Sequence, residues 1–418
     1  MVATYRESRS RGPCRTLTAV ALSGGVALSL IAACSRGGGA AAGPDAALLV
    51  TEAGTFSRAG VLQAFGRCAT DTYRDFAARS RVLAEATARL EADGSEANMQ
   101  SAQKSFGEAM DVWQRAEVFQ FGPAGRKGTP GGQDMRDPIY SWPLVSRCLI
   151  EQALVSRGYA EPSFPTASLV NTRGLGAIEY LLFHVGVDNA CGAGSQINAS
   201  GSWAALGAAE IRSRKGAYAS AASKDLSAKA SALLAVWDPA SGNFLAEMEK
   251  AGQGSQVFTT DQMAFNAVSS ALFYIDDELK DMKLGKPLGT VDCEAPTCPE
   301  AIESPFAHLS KSNVRNNLLG FRMMFFGCGK DGVGLGFDDL LTGIGAGAVA
   351  RTMESDFQAA LQALDELPQE NLEEALSKNR AGLERFHVAV RKLSTTLKTQ
   401  VLSILDLELP KRVEGDND

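Results

Sequence analysis

Histidine is scarce in this chain, which has only His184, His308 and His387 among its 418 residues. None of the three belongs to a His-Glu-x-x-His pair, the zinc-binding helix motif of one large class of peptidases. The chain also lacks the Gly-x-Ser-x-Gly turn that exposes a nucleophilic serine. These absences exclude that class of zinc peptidase and give no indication of a serine hydrolase.

Excess charge of either sign is also small, with a formal net charge of −7 for the whole chain. Residues 1–33 carry four Arg and one Glu, so the rest of the chain has 37 basic and 47 acidic residues. Because the net charge is negative, we expect no nucleic-acid partner. The chain also has no phosphate-binding Gly-x-x-x-x-Gly-Lys-Ser/Thr motif. The mild acidity permits the binding of cations without requiring it.

Long hydrophobic runs are absent after the first 33 residues. An uncharged apolar stretch from Leu17 to Ala33 follows an arginine-rich segment, as in an export signal. It ends at Ile31-Ala32-Ala33-Cys34, which resembles the lipobox where bacterial lipoproteins are cut before a lipid-bearing cysteine. We predict a lipoprotein signal peptide over 1–33, lipidation of Cys34 and a flexible tether over 34–50. The alternatives are an ordinary signal peptide or an N-terminal membrane helix.

The predicted lipid anchor implies a membrane location for an exported protein. Ser35 follows the lipidated cysteine, and serine there does not resemble the aspartate retention signal of enterobacterial inner-membrane lipoproteins. We therefore expect the outer membrane, with the protein on its periplasmic side or on the cell surface.

Six cysteines remain once Cys14 and Cys34 are set aside: Cys68, Cys148, Cys191, Cys293, Cys298 and Cys328. An even number in an exported chain predicts disulfides, and six cysteines allow 15 pairings. No two of them form a Cys-x-x-Cys pair, so a thiolate zinc site is not indicated. Cys293 and Cys298 share a proline-containing loop and are the first candidates for a bond.

Apolar residues recur at helical spacing through most of the chain, whereas alternating strand patterns are scarce. Steps of three and four place six residues on one predicted helix face: Phe265, Val268, Leu272, Ile275, Leu279 and Met282. An all-α fold built from helical bundles follows. Glycine and proline cluster between Asp188 and Ser202, and this cluster predicts a boundary between one domain over 51–195 and another over 196–418.

Two glutamates stand inside otherwise apolar or aromatic segments. Glu117 lies between Trp113 and Pro123, and Glu179 follows Ala177-Ile178 and precedes Tyr180-Leu181. A buried charge is costly unless it is paired or bound to metal, and oxygen ligands suit hard cations. The two glutamates are therefore candidate metal ligands. The alternative is a structural ion pair with Arg115, Arg147 or Arg173.

Several segments in a consistent order resemble the imelysin family, exported all-helical proteins once classed as peptidases and associated with bacterial iron uptake. The resemblance covers most of residues 55–409. Its segments are Trp113–Pro123, Ser141–Leu144, Gly174–Leu182, Lys283–Gly289, Glu303–Phe306 and Asn316–Gly320. It implies two helical bundles packed side by side with a functional cleft between them.

The hallmark of that family is Gly-x-His-x-x-Glu, whose His and Glu share one helix face and can hold one metal ion. Here the motif begins at Gly174 and ends at Glu179, but Gly176 replaces the histidine. His184 is eight residues further along, about 12 Å along a regular helix and roughly 80° around it. It cannot occupy the same place without a break in the helix. Close packing at Gly176 or a decayed site would both explain the replacement.

The resemblance suggests a lipid-anchored protein that binds iron, another metal cation or an iron-containing ligand in the cleft. Glu117 and Glu179 would be the metal ligands, and an iron-uptake protein of the periplasm or outer membrane would be a partner. The expected cleft residues are Asp111, Trp113, Trp142, Arg173, Gly174, Gly176, Glu303, Arg315, Asn316 and Arg322.

Two other functions remain open at this stage. A metallopeptidase needs several protein ligands and an open water position on its metal, and the motif histidine is missing. We therefore assign no catalytic residue and favour a protein that is not an enzyme. A module that binds a peptide or protein without metal is the other alternative, and Gly176 is the residue that supports it.

Overall fold

The computed structural model describes residues 56–329 and 333–411, in which helices are joined by turns and loops and no strand is present. The export signal, Cys34 and the tether lie outside these described residues. The α-helices are α1 Arg58–Ala92, α2 Glu96–Ala116, α3 Arg147–Ser156, α4 Phe164–Ala167, α5 Gly174–Phe183, α6 Gln196–Ala199, α7 Gly207–Trp237, α8 Leu245–Glu249, α9 Asp261–Leu272, α10 Lys286–Leu288, α11 Ser310–Phe325, α12 Phe337–Gly343, α13 Gly347–Asp365, α14 Leu372–Lys378, α15 Arg380–Thr396 and α16 Leu402–Leu405.

Short 3-10 helices and two π-helices complete the secondary structure. The 3-10 helices are Gly122–Ala124, Gly158–Ala160, Val170–Thr172, Ala204–Leu206 and Pro299–Ala301, and the π-helices are Ile275–Gly285 and Leu397–Val401. No helix of the described chain is both long enough and apolar enough to cross a bilayer. The predicted all-α fold is confirmed.

The longest helix, α1, organises the N-terminal half. Its first turn begins after Ser57, whose side chain accepts a hydrogen bond from the backbone N–H of Gly60 at 3.0 Å. Residues at helical spacing, including Phe65, Tyr73 and Leu83, are buried along its length. Helices α2 and α7 pack against α1, and α5 packs against α2 and α7. These four helices form the first bundle.

The second bundle consists of the longer π-helix, α11, α13 and α15. Helix α2 of the first bundle also packs directly against α11. The described residues group as one unit by their contacts, and α7 packs on α1 although it follows the predicted boundary at residue 195. The division at 195 and 196 therefore stays a prediction.

The stripe of apolar residues after Phe265 does not continue as one α-helix. Helix α9 ends at Leu272, and the wider turns of a π-helix begin at Ile275. In this π-helix Met282 is half-buried and Lys283 lies in the interior. The predicted apolar face is therefore less buried at Met282 than at its other residues, and the ammonium group of Lys283 lies in the core.

Three disulfides join the six cysteines: Cys68–Cys328, Cys148–Cys191 and Cys293–Cys298. The local pair in the proline-containing loop is the one that the sequence favoured. The first bond is long-range, with a sequence separation of 260, and it links α1 to the segment after α11.

Candidate functional site

Glu117 is the C-cap residue that follows α2 and is fully enclosed, with 1% of its surface exposed. The guanidinium of Arg136 donates to its Oε1 from both Nε, at 3.1 Å, and Nη2. The phenol of Tyr274 donates to Oε2 at 2.9 Å, and Lys283 Nζ lies 3.9 Å from the same oxygen. Glu117 is therefore engaged by groups of the protein, and its role as a metal ligand stays a prediction.

The bases proposed from the sequence as ion-pair partners contact other groups. Arg115 Nη1 donates to the amide oxygen of Asn316 at 2.6 Å. Arg147 Nε donates to Glu151 at 2.7 Å, and Arg173 Nη1 lies 3.3 Å from Asp225. The actual partner, Arg136, belongs to the segment rich in glycine and proline that follows α2, a region without helical spacing from which to infer a contact.

Lys283 organises a second set of polar contacts beside this pair. Its Nζ lies 2.9 Å from Glu303 Oε2 and donates to Gln114 Oε1 at 2.8 Å and Asn317 Oδ1 at 2.9 Å. Gln114 and Tyr140 donate to the other oxygen of Glu303, at 2.9 and 2.6 Å. Each charged group here has a charged or hydrogen-bonding partner, which is the condition for tolerating charge in a core. We call Glu117, Arg136, Lys283 and Glu303 the buried ion cluster.

Glu179 differs from the buried ion cluster because no base pairs with it. It lies on α5 with 3% of its surface exposed. Its Oε1 accepts hydrogen bonds from the backbone N–H groups of Phe306, at 3.1 Å, and Ala307, at 3.0 Å. No Lys, Arg or His of the described residues forms an ion pair with it. Its negative charge is therefore held by neutral groups, the two backbone amides and the side chain of Ser304.

Burial governs the protonation of Glu179. Loss of water raises the pKa of its carboxyl to about 7, although the amides of Ala307 and Phe306 favour the charged form. The neighbouring negative charge of Glu303 raises the pKa further. The carboxyl is therefore poised between its neutral and charged forms near neutral pH, a property that is common at functional sites.

The loop that holds Glu179 is itself fixed from α11. Ser304 has a left-handed backbone with φ of 54°, which is uncommon for a residue other than glycine. Asn313 Nδ2 of α11 donates to Ser304 Oγ at 3.0 Å in the protein interior. This bond anchors the turn from which the amides of Phe306 and Ala307 point towards the carboxylate.

Glu179 forms part of the wall of a cavity of about 220 Å³. Most of the other lining residues are aromatic or aliphatic, and the lining set is Tyr140, Trp142, Pro143, Val145, Arg147, Gly176, Glu179, Tyr180, Glu300, Ile302, Ser304, Pro305 and Phe306. The volume is below the roughly 300–1,000 Å³ typical of sites for drug-sized ligands. A small organic group, or part of a larger ligand, fits such a space.

Glycine is required on the cavity side of α5 for a steric reason. A Cβ at Gly176 would lie 2.3 Å from Val145 Cγ2. At the start of the helix, Gly174 has φ of 71°, and a Cβ there would lie 2.5 Å from the carbonyl oxygen of Ile139. Close packing therefore accounts for Gly176, and Val145 fills the space where an imidazole would begin.

The sequence predicted that His184 cannot take the place of the missing histidine, and in the structure it does not. It is the C-terminal cap of α5, and its ring stacks on Tyr180 at a centroid distance of 5.2 Å. Burial and the charges of Lys215 and Arg147 lower its pKa. His184 is not among the residues that line the cavity.

A separate ion network supports the cavity wall near Tyr180. Glu151 is completely buried and accepts from Arg147 at 2.7 Å, from the phenol of Tyr180 at 2.8 Å and from the backbone N–H of Ala190 at 2.7 Å. Arg147 also pairs with Asp188. The guanidinium at the cavity is therefore already neutralised, which leaves the negative charge of Glu179 uncompensated.

The other residues expected in the cleft are spread over several places. Trp142 and Gly176 line the cavity, Gly174 starts the helix that carries Glu179, and Glu303 lies in the buried ion cluster. Asp111 accepts from Asn316 at 2.9 Å across the contact of α2 with α11. The remaining four do not line the cavity: Trp113 is a core residue against Phe76, Arg173 pairs with Asp225, Arg315 pairs with Asp365, and Arg322 lies on α11.

The described residues contain no group of three or more His, Cys, Asp or Glu arranged to hold a metal ion. Glu179 supplies one buried carboxylate, Glu300 is an exposed residue of the lining, and Glu117 and Glu303 are engaged by Arg136 and Lys283. Protein metal sites use several protein ligands, typically three or four for zinc and more for calcium. The arrangement therefore suits a group that needs one carboxylate.

Together, these observations define an all-helical protein with one buried carboxylate that lacks a basic partner, in an aromatic cavity beside a neutralised ion cluster. The chain belongs to the imelysin family, because the family model described as Imelysin matches residues 69–400. It is 25% identical over 338 residues to Iron-regulated protein A of Synechococcus elongatus, covering 80% of this chain and 83% of that protein.

Two crystal structures share the fold. One is described as an iron-regulated protein A precursor from Parabacteroides distasonis, with a TM-score of 0.66 and 17% identity over 85% of this chain and 97% of the other. The second is an imelysin-like protein from Psychrobacter arcticum 273-4, with a TM-score of 0.62 and 16% identity. That match covers 86% of this chain and all of the other.

Proposed function

We propose that this chain is a lipid-anchored, exported binding protein that serves iron uptake by holding an iron-bearing ligand in the cavity at Glu179. Support for an iron-related role comes from similarity to two proteins described as iron-regulated. Support for the lipid anchor comes from the export signal and the lipobox-like segment that ends at Cys34. The expected location is the outer membrane.

The observation that carries the proposal is the state of Glu179. It is a buried carboxylate without a basic partner, and it borders an open volume of about 220 Å³. An isolated buried charge is unfavourable, so a positively charged group that enters the cavity gains an interaction that the empty protein lacks. Glu117 does not share this role because Arg136 and Tyr274 already bind it.

The presence of only one buried carboxylate also indicates the form in which iron is bound. A bare ion at Glu179 would keep most of its water shell, because the cavity offers few other hard ligands. Iron that is already coordinated by an organic molecule needs no further ligands from the protein. We therefore propose that iron arrives within a complex and that Glu179 binds the positive part of that complex.

The test is elemental analysis of the mature protein purified from iron-supplemented bacteria that export it. We expect about one iron per chain in the natural protein and less than a tenth of that in Glu179→Gln. Asp338→Asn is the matched control, because Asp338 is a carboxyl whose pKa burial raises to about 8 but which does not line the cavity. An iron-free natural protein, or equal iron in Glu179→Gln, would overturn the proposal.

The aromatic walls favour a second candidate function, which is binding of a metal-free ligand by the same cavity. Trp142, Tyr180 and Phe306 offer ring surfaces that suit an organic molecule. In that case the purified protein would contain no iron in any variant, while binding of an organic ligand would still depend on Glu179. If the metal-free ligand is a peptide or a protein, this function is the metal-independent interaction module that the sequence left open.

A further inference from the structure

The cavity combines one buried carboxylate, Glu179, with several aromatic surfaces, and the exposed Glu300 lies in its lining. Tyr140, Trp142, Tyr180 and Phe306 line it together with Glu179. An aromatic face attracts a cation within about 6 Å of the ring centroid, and the attraction is larger where water is excluded. A carboxylate beside aromatic rings is a recognition pattern for an organic cation.

The ammonium group of one lysine side chain, Lys283, already lies in such surroundings. Lys283 Nζ lies 5.5 Å from the ring centroids of Trp142 and Tyr274, and its charge is matched by Glu303 at 2.9 Å. Trp142 also lines the cavity at Glu179. A ligand ammonium in the cavity would therefore lie near Trp142, whose ring already contacts the ammonium of Lys283. Glu179 would balance the charge of the ligand as Glu303 balances the charge of Lys283.

We propose that the group recognised at Glu179 is a primary ammonium on a short apolar stem. The inference rests on the proposed function in that it assigns the positive part of the ligand held in the same cavity. The ammonium donates to the Glu179 carboxylate, and the stem packs against Trp142, Val145 and Phe306. The small volume of the cavity selects a low-molecular-weight amine or a terminal amine of a larger ligand.

Protonation of Glu179 is coupled to this binding. The ammonium binds the charged carboxylate, so a protein that carries a neutral Glu179 releases one proton as the ligand enters. The charged groups that face the carboxyl or the cavity are Glu303, which disfavours ionisation of Glu179, and Arg147 and Glu300 in the lining. No other atom is transferred, and no bond to carbon forms or breaks.

Calorimetric titration of the whole mature protein, treated with a chelator to remove metal, tests the inference. The probes are benzylammonium and its neutral isostere benzyl alcohol, both at pH 8. We expect benzylammonium to bind at least tenfold more tightly than benzyl alcohol. Glu179→Gln should reduce the affinity for benzylammonium to that for the alcohol, whereas Asp338→Asn should bind both probes like the natural protein.

A second variant, Trp142→Leu, changes the aromatic wall of the cavity but keeps the charge of Glu179. Trp142→Leu should weaken benzylammonium binding several-fold while leaving the preference over benzyl alcohol that Glu179 provides. Equal affinities for the two probes in the natural protein, or unchanged benzylammonium binding in a folded Glu179→Gln protein, would overturn the inference.

The outcomes also separate this inference from the proposed function. If the purified protein carries iron through Glu179 but the metal-free protein ignores benzylammonium, the ammonium assignment is wrong and the iron role stands. If benzylammonium binds through Glu179 and the purified protein lacks iron, the ammonium assignment stands and the iron role fails.

Discussion

Val145 Cγ2 occupies the position that a side chain on Gly176 would need, 2.3 Å from the ideal Cβ site. A valine side chain is stiff at its first torsion, so it cannot turn aside freely. Val145, which belongs to another segment, thus fills the space that the missing histidine of the Gly-x-His-x-x-Glu pattern would need. Gly176 and Val145 fit one another as a pair.

Restoring the histidine alone should therefore destabilise the protein. We expect Gly176→His to lower the free energy of unfolding by about 1–3 kcal/mol, the usual cost of overpacking. Val145→Ala combined with Gly176→His should recover part of that loss, because the methyl groups that clash are removed. Urea unfolding of the single variants and of the double variant measures both effects, and a fully stable Gly176→His protein would contradict the steric explanation.

Removal of the guanidinium of Arg136 should be costly because Glu117 would remain buried without its bidentate partner. We expect Arg136→Ala to lower the free energy of unfolding by about 3–5 kcal/mol. Arg126→Ala, an exposed arginine in the same segment, should change it by less than about 0.5 kcal/mol. Chemical denaturation at neutral pH checks the difference, and equal small losses would show that Glu117 is neutralised by other groups.

The pair formed by Lys283 and Glu303 should show strong energetic coupling. Lys283→Met leaves the Glu303 carboxylate buried with only neutral donors, and we expect a loss of about 3–5 kcal/mol in unfolding free energy. Adding Glu303→Gln removes the charge and should restore part of the loss. A double-mutant cycle from urea unfolding gives the coupling energy. Additive losses would contradict a direct interaction between the two groups.

Glu179 should make stability depend on pH. Because burial raises its pKa from 4.5 to about 7, the folded protein binds more protons than the unfolded chain between these values. Its contribution to stability is fully present below pH 4.5 and is lost as pH rises through 7. The full loss is about 3 kcal/mol at 1.36 kcal/mol per pKa unit.

The pH dependence caused by Glu179 is measured as the difference in unfolding free energy between two proteins. Natural protein and Glu179→Gln should be unfolded by urea from pH 4.5 to pH 8.5, and the natural protein should lose more stability over that interval. Asp338, whose pKa is also raised, contributes equally to both and cancels. Parallel pH profiles would show that Glu179 titrates normally.

The helical architecture could be predicted from the sequence because it depends on local spacing. The long apolar periods in α1, α7 and α15 correspond to buried residues in the structure. The break between α12 and α13 was not predicted: Gly345 has φ of 83° there, and the stretch 338–366 otherwise has helical composition. Local patterns thus identified the helices better than their ends.

The site could be predicted only in part, because its contacts join distant segments. Glu179 and Trp142 were identified as candidates, whereas Arg136 lies in a segment without helical spacing and Lys283 enters the core through a π-helix. The presence of charge inside apolar segments indicated buried groups but could not indicate which base each carboxylate meets.

The two amides that hold Glu179 come from a loop more than one hundred residues further along the chain. Their hydrogens are therefore natural reporters on the carboxylate. A ligand that draws Glu179 into its charged form strengthens both acceptor interactions, so the N–H groups of Phe306 and Ala307 should exchange more slowly with deuterium when the cavity is filled. Residue-resolved exchange would then read occupancy directly from the backbone, with no label attached to ligand or protein.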